Sequence, residues 1–355
     1  MRVLVLGAGV LGSLYAARLQ DSGHDVTVLA RGRRLADLRE RGIVLVESST
    51  GRQTITPVAV VDRLEADVVY DWVVVLVRKN QLEEVLPILE ANRTTPNILL
   101  MVNNASGVEA IADRLGRDRV VLAFPGAGGV REGAVVRYEI VSGLIQPTTL
   151  GELDGAITPR LLAMAEVLRM AGFPVETSNA MDAWLKTHVA VVSPVANAIY
   201  LAGGDNYRLS RTRDGVVLMA RAIKEGFRVL QALKIPITPF KYRLLPLIPE
   251  PILVAALQRA LATEWATTVI TRHANAGRDE MQLLADEFQV LVEMAGVETP
   301  ALNELYGYID PARGTVPEGR AQLKLDWRSF WGSVAVLGLM AALILWLRGR
   351  KGMNS

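Results

Sequence analysis

Residues 3–19 read VLVLGAGVLGSLYAARL, and their interpretation decides the fold. Val3 to Leu6 form an apolar run that leads directly into Gly7, Gly9 and Gly12, spaced G-x-G-x-x-G, and the chain then continues through Leu14, Ala16, Ala17 and Leu19. That glycine pattern is common by itself. Here it follows a strand and opens a helix, the context in which each glycine has a separate task. The first makes the tight turn, the second lets the backbone approach a pyrophosphate, and the third lets helix and strand pack closely. The free amides at the helix start complete an anion site. Gly7, Ala8, Gly9, Val10, Leu11 and Gly12 are therefore candidate dinucleotide-binding residues, and an ordinary glycine turn is the alternative.

Working outward, the next strand, DVTVLA at 25–30, ends in VLARGRR at 28–34. A carboxylate would stand here to hold a ribose 2′-hydroxyl; Arg31 takes its place, and a guanidinium pairs with a 2′-phosphate, which favours NADP(H) over NAD(H). Arg33 and Arg34 behind it read as surface charges. Short β-branched runs continue to alternate with amphipathic helical stretches through about residue 175. IVLVES and TITPVAVV flank a turn at 49–51 and are expected to pair as a hairpin, and WVVVLV and NILLMV resume the buried pattern. VVLAFPGAGG, AVVRYEIVS and TTLGEL supply further strands. Beyond GFPVETS the texture becomes helical, with helices expected over 179–202, 211–233, 252–274 and 278–295. Pro246, Pro249 and Pro251 prevent one continuous helix there. The expected fold is α/β, a Rossmann-type domain over 1–175 followed by an all-helical substrate and catalytic domain over 176–326.

The chain has 355 residues, 50% hydrophobic, with 39 basic against 37 acidic side chains, so no strong field calls for nucleic acid despite a pI of 8.9. There is no cysteine, which excludes disulfides, thiolate metal sites and thiol catalysis. His24, His188 and His273 are scattered without metal-ligand spacing, so no metal is expected. The last segment, 327–355, differs in kind. Phe330 to Leu347 carries no charge, has Trp331 and Trp346 near its ends, and is flanked by Arg328 and by Arg348, Arg350 and Lys351. As a helix it would just reach across the bilayer hydrocarbon, so a membrane anchor is expected, with burial in a subunit interface as the alternative.

AWLKTHVAVV, residues 183–192, places Lys186 in a run that reads as the buried side of a helix. A buried ammonium needs a partner or a task. Together, the glycine fingerprint, the asparagine of ILLMVNN, the Trp-x-Lys of WLK and the glutamate of GRDEMQLL resemble the ketopantoate reductase (2-dehydropantoate 2-reductase) family over roughly residues 1–310. The resemblance implies an NADP-dependent oxidoreductase acting on CH–OH donors, reducing a 2-keto acid to a 2-hydroxy acid, in the family of pantothenate biosynthesis and cytoplasmic. It makes Lys186 the general acid, with an ion pair to Asp182 one turn earlier as the bland reading. It places Glu280 near nicotinamide and substrate, where it could also pair with Lys186. It further implies Asn103 between cofactor and substrate, Gly129 beside the cofactor, Arg78 at a cofactor-binding position, and Ser193 and Thr268 at the substrate.

Departures from the family pattern cluster on the substrate side. The family lysine is Arg78, with Lys79 adjacent; Asn104 stands where the family has glycine; Val189 or Ala190 and Ser193 stand where it has two asparagines; Gln282 and Ala285-Asp286 replace an Asp and an Asn-Gly. These changes point to a keto acid larger or more apolar than ketopantoate. A homodimer is compatible with the pattern. The alternatives are an NADP-linked dehydrogenase of another 2-oxo or 3-hydroxy compound, and a non-catalytic NADPH-binding protein at the membrane.

Overall fold

The computed structural model describes residues 1–328, so the expected anchor at 330–347 lies outside the described residues. Strand β1 (Arg2–Leu6) buries Val3, Leu4 and Val5 completely, and helix α1 (Val10–Asp21) starts directly after the glycine turn, as the opening stretch predicts. The chain continues through β2 (Asp25–Leu29), α2 (Gly32–Arg41), β3 (Ile43–Glu47), β4 (Gln53–Thr56), β5 (Ala59–Val61) and β6 (Trp72–Val75). Then come α3 (Leu82–Ala91), β7 (Ile98–Met101), α4 (Glu109–Leu115), β8 (Val120–Phe124), β9 (Ala127–Glu132), β10 (Val135–Ile140), β11 (Thr148–Glu152), α5 (Pro159–Met170) and β12 (Val175–Thr177).

The main sheet has eight strands in the order β12-β11-β8-β7-β6-β1-β2-β5. From β8 to β5 all neighbours are parallel, and β11 pairs antiparallel to β8. The chain leaves β1 toward β2 and β5 on one side and later fills β6, β7 and β8 on the other. The strand order therefore reverses at β1 and β6, and ligands in open parallel sheets bind beyond the carboxyl ends of the strands at such a point.

The expected hairpin forms, with Ile43 opposite Thr56, but it belongs to a second sheet of order β4-β3-β10-β9. TITPVAVV is not one strand. Pro57 has no N–H to give to a ladder, so the chain breaks there, and β4 and β5 enter different sheets.

The second half is helical: α6 (Met181–Leu201), α7 (Asn206–Arg211), α8 (Arg213–Ala232), α9 (Lys241–Leu244), α10 (Glu250–Leu261), α11 (Glu264–Ala266), α12 (Arg272–Ala276), α13 (Arg278–Ala295) and α14 (Pro300–Tyr306). Its core is built around Phe227 and Phe288, between α6, α8 and α13. The stretch 252–274 is not the single helix its periodicity predicts. The Thr263 hydroxyl accepts from Ala266 N at 3.2 Å and caps a new start. A π-helical turn follows at Thr267–Thr271, where Asn206 Oδ1 accepts the Thr267 and Thr271 hydroxyls at 3.1 and 3.0 Å. Among the described residues, no helix is long and apolar enough to cross a membrane.

Candidate active site

The glycine turn is shaped by contacts that leave no room for side chains. Gly7 has φ +115°, and a Cβ there would lie 2.3 Å from Leu76 O at the end of β6. A Cβ on Gly12 would lie 1.7 Å from Gly7 O, which is why α1 can pack so closely on β1. At Gly9 a Cβ would meet nothing within 4 Å, so the middle of the turn faces open space. No side chain caps α1, and its first amides therefore point unpaired at that space. A pyrophosphate fits this cradle.

Arg34 is not the surface charge its sequence context suggests. It is buried, and its guanidinium donates to Ala8 O at 3.1 Å, to Ser13 Oγ at 2.8 Å and to Ala134 O at 3.0 Å, fixing the turn against the second sheet. Burial, and then the nearby Arg131 guanidinium, push its pKa below the ordinary value. Arg31 is exposed just beyond the carboxyl end of β2 and precedes α2.

Lys186, in the second turn of α6, has only 12% of its side chain exposed. Its ammonium pairs with Asp182 one turn earlier, so the bland partner is real. The nitrogen nevertheless faces the other half of the molecule: a Cβ on Gly107, in the loop between β7 and α4, would lie 3.8 Å from it. Glu280, at the start of α13, is 3% exposed and does not pair with Lys186. Its Oε1 accepts from Lys79 N at 3.2 Å and from Asn103 Nδ2 at 3.3 Å, because α13 ends its first turn directly over the loops that follow β6 and β7. Glu280 Oε2 and Asn103 Oδ1 are buried acceptors without a partner among the described residues. Such atoms are rare in native structures and suit a bound donor such as a ribose hydroxyl or a carboxamide.

Arg78, by contrast, is partly exposed and lies 3.6 Å from Asp279. The buried cation of this segment is its neighbour Lys79, whose Nζ donates to Asn104 Oδ1 at 2.7 Å and pairs with Glu287 at 3.2 Å. Glu287 Oε2 also accepts from Ala105 N at 2.9 Å and Ser106 N at 3.2 Å. Lys79, Asn104 and Glu287 thus form a polar latch between the two halves, which reading the residues one by one missed. Only two departures from the family pattern, the lysine displaced by one position to Lys79 and Asn104 in place of glycine, signalled it.

Gly129 lies within β9, where a Cβ would come 2.1 Å from Arg137 O of β10, so strand packing alone demands glycine there. Next to it, a Cβ on Gly128 would touch Val269 at 3.4 Å, which brings Thr268, buried in the π-helical turn, beside this strand. Ser193 is buried on α6. Val189 and Ala190, near which the first family asparagine falls, are both fully buried, and a Cβ on Gly226 of α8 would lie 3.1 Å from Ala190 Cβ; this stretch now serves helix packing. Two further residues had no site role in the sequence reading. His188 clusters with Phe124 and Trp184, with ring centroids at 4.1 and 5.4 Å from its own and the Trp184 ring stacked on it, and burial, then His273, lower its pKa to about 3. Asn197, three turns beyond Lys186 and one turn beyond Ser193 on the same helix side, is buried with Oδ1 unpartnered among the described residues.

Comparison with known proteins agrees with this architecture. Residues 3–155 match the family model described as ketopantoate reductase PanE/ApbA. The chain is 25% identical over 244 residues to a 2-dehydropantoate 2-reductase of Listeria innocua, covering 65% of this chain and 75% of that one. It is 28% identical over 237 residues to a 2-dehydropantoate 2-reductase of Archaeoglobus fulgidus, covering 65% and 74%. The crystal structure of 2-dehydropantoate 2-reductase from Geobacter metallireducens superposes with a TM-score of 0.71 at 18% identity, over 88% of this chain and all (100%) of that one. A D-mandelate dehydrogenase in ternary complex with NADH and anilino(oxo)acetate superposes with a TM-score of 0.68 at 16% identity, over 87% and 97%. These likenesses show the fold. Over residues 3–155 the chain is thus similar to the ketopantoate reductases, on a two-part architecture that the solved structures share along nearly their whole length.

Proposed function

We propose that this protein is an NADPH-dependent reductase that converts a 2-keto acid to a 2-hydroxy acid, with a dinucleotide-binding domain over 1–175 and a substrate domain over 176–326. The observation that carries the reading is the placement of Lys186: a nearly buried ammonium facing Gly107, on the side of the molecule where Asn103 and Glu280 meet beyond the sheet's carboxyl edge. The names of the relatives support the same chemistry. The amides of Gly9 to Gly12 would hold the pyrophosphate, and Arg31 would hold the 2′-phosphate. Asn103 Oδ1 and Glu280 Oε2 would accept hydrogen bonds from the cofactor's ribose or carboxamide and from the substrate.

When bound, the reduced nicotinamide supplies a hydride to the carbonyl carbon. Lys186 hydrogen-bonds the ketone oxygen, stabilises the negative charge that develops on it, and delivers the proton that completes the alcohol. Asp182 holds the ammonium in place and, being 39% exposed, connects it to solvent, from which the lost proton is replaced. Asn197 and Ser193 offer polar contacts on α6, and the loss of the family's asparagine at Val189 or Ala190 favours an acid with a bulkier apolar side chain than ketopantoate. We further read residues 330–347 as an anchor that holds the enzyme at the cytoplasmic face of a membrane. The test is NADPH oxidation, followed by absorbance, across a panel of 2-keto acids of increasing side-chain size. Turnover with at least one member is expected, and turnover with none would overturn the assignment.

A further inference from the structure

An apolar patch lies far in sequence from the site but close to where the described chain ends. Leu247 is 72% exposed and Phe240 66%, and Leu244 is about half exposed, in the proline-interrupted connection from α8 to α10, with the half-exposed Ile252 in the first turn of α10. The loop between β10 and β11 joins them, because Lys241 Nζ donates to the carbonyls of Leu144 and Ile145, and Leu144 is 90% exposed. Prolines divide this segment: Pro246 and Pro249 separate α9 and the turn after it from α10, so no single helix can turn all these side chains to the core on one face. Large apolar side chains gathered in this way mark an interaction surface.

The path of the chain's last described residues says what covers it. Glu250, at the first position of α10, accepts from Asp326 N at 2.9 Å and from Arg221 Nη2 at 2.8 Å, while Arg221 Nη2 also donates to Lys324 O at 2.7 Å. Residues 324–326 are thereby tied to the start of α10, between Leu247 and Ile252 in the chain. The uncharged stretch 330–347 begins only a few residues beyond this point, after the half-exposed Trp327. Lys241, Arg243, Lys324 and Arg328 are exposed around the same edge, and Glu250 is already neutralised by Arg221. We infer that the surface formed by Leu144, Phe240, Leu244, Leu247 and Ile252 rests on an anionic phospholipid bilayer, as a second contact beside the C-terminal stretch. Apolar residues seat themselves in the headgroup and acyl boundary while basic ones meet the anionic lipid, and two such signals together give a stable attachment and a fixed orientation. This inference rests on reading 330–347 as membrane-seeking.

Because the chain has no cysteine, Leu247→Cys gives a unique site for an environment-sensitive fluorophore. The full chain so labelled is reconstituted in phosphatidylcholine and phosphatidylglycerol vesicles, alongside Met170→Cys, exposed on α5, and Met340→Cys, within the apolar stretch. The expected result at 247 is a blue shift, quenching by nitroxides near the headgroups, and loss of access to aqueous iodide, with position 170 remaining open to iodide. Iodide access at 247 equal to that at 170 overturns the inference. Protection at 247 in detergent with no quenching by nitroxide lipids also overturns it, since a second copy or the chain's own tail then covers the patch. Quenching at 340 by deep nitroxides, with 247 left in water, sinks only the docking surface; absence of quenching at both positions refutes the anchor as well.

Discussion

Removing the Lys79 ammonium should loosen the junction between the two halves, by an amount that can be worked from its contacts. The cation is 9% exposed and Glu287 11%, so Lys79→Met leaves a carboxylate nearly out of water without its counter-charge. Breaking a buried pair from one side costs about 3–5 kcal/mol. Glu287 keeps its two backbone donors, Ala105 N and Ser106 N, and Asn104 Oδ1 retains Ser106 Oγ at 2.9 Å, so a cost at or just below that range, about 2–3 kcal/mol, is expected. In a chain of this size that corresponds to a fall in Tm of roughly 3–4 °C. Glu287→Gln should cost less, because the amide oxygen still accepts from the same backbone. The assay is a double-mutant cycle by calorimetry, in which Lys79→Met with Glu287→Gln should be less destabilised than the sum of the singles by about 1–2 kcal/mol. Additivity to within about 0.5 kcal/mol would refute the latch as a coupled unit.

Three further outcomes follow from the same geometry. Arg31→Ala should weaken NADPH binding by about 10–100-fold while leaving NADH within a few-fold, measured by fluorescence titration, since one charge-assisted pair to a 2′-phosphate is at stake; equal losses for both cofactors would contradict the role. Gly12→Ala drives a Cβ to 1.7 Å from Gly7 O, so dinucleotide binding should be lost while the circular dichroism of the helical half persists. His188 is neutral in the fold with its pKa lowered to about 3, so the unfolded chain takes up a proton that the native one refuses as pH falls below the ordinary 6.5. Its contribution is present above pH 6.5 and is lost progressively as the pH falls toward 3, and His188→Phe should flatten that part of the stability profile; an unchanged slope in denaturant titrations at several pH values would count against it.

The parts of this structure that were legible in the sequence are those written in local pattern. The glycine turn, the parallel core and the hairpin across 49–51 depend on neighbours in the chain, and the residues there agree with one another at every level. The second sheet depends on β3 meeting β10, which no local pattern announces, and the break at Pro57 was available to a reader who gave proline its due. At the site, Lys186 stood out because an ammonium in an apolar run demands explanation. The choice between Arg78 and Lys79 could not be settled the same way, because adjacent residues at the start of a 3-10 turn point in different directions, and only packing against α13 decides which is buried. Glu287, two helical turns after Glu280, could have been found by helical phase. Arg34 could not, since its partners come from the glycine turn and from the second sheet.

The central claim is that Lys186 gives the proton that completes reduction. It is tested most directly by the single-turnover rate of Lys186→Ala with saturating NADPH and the best keto acid from the panel, alongside its Kd for NADPH. The account predicts a rate lower by about 10²–10⁴-fold with cofactor affinity unchanged. A rate within a few-fold of the unaltered protein, or an equal loss of cofactor binding, would contradict it.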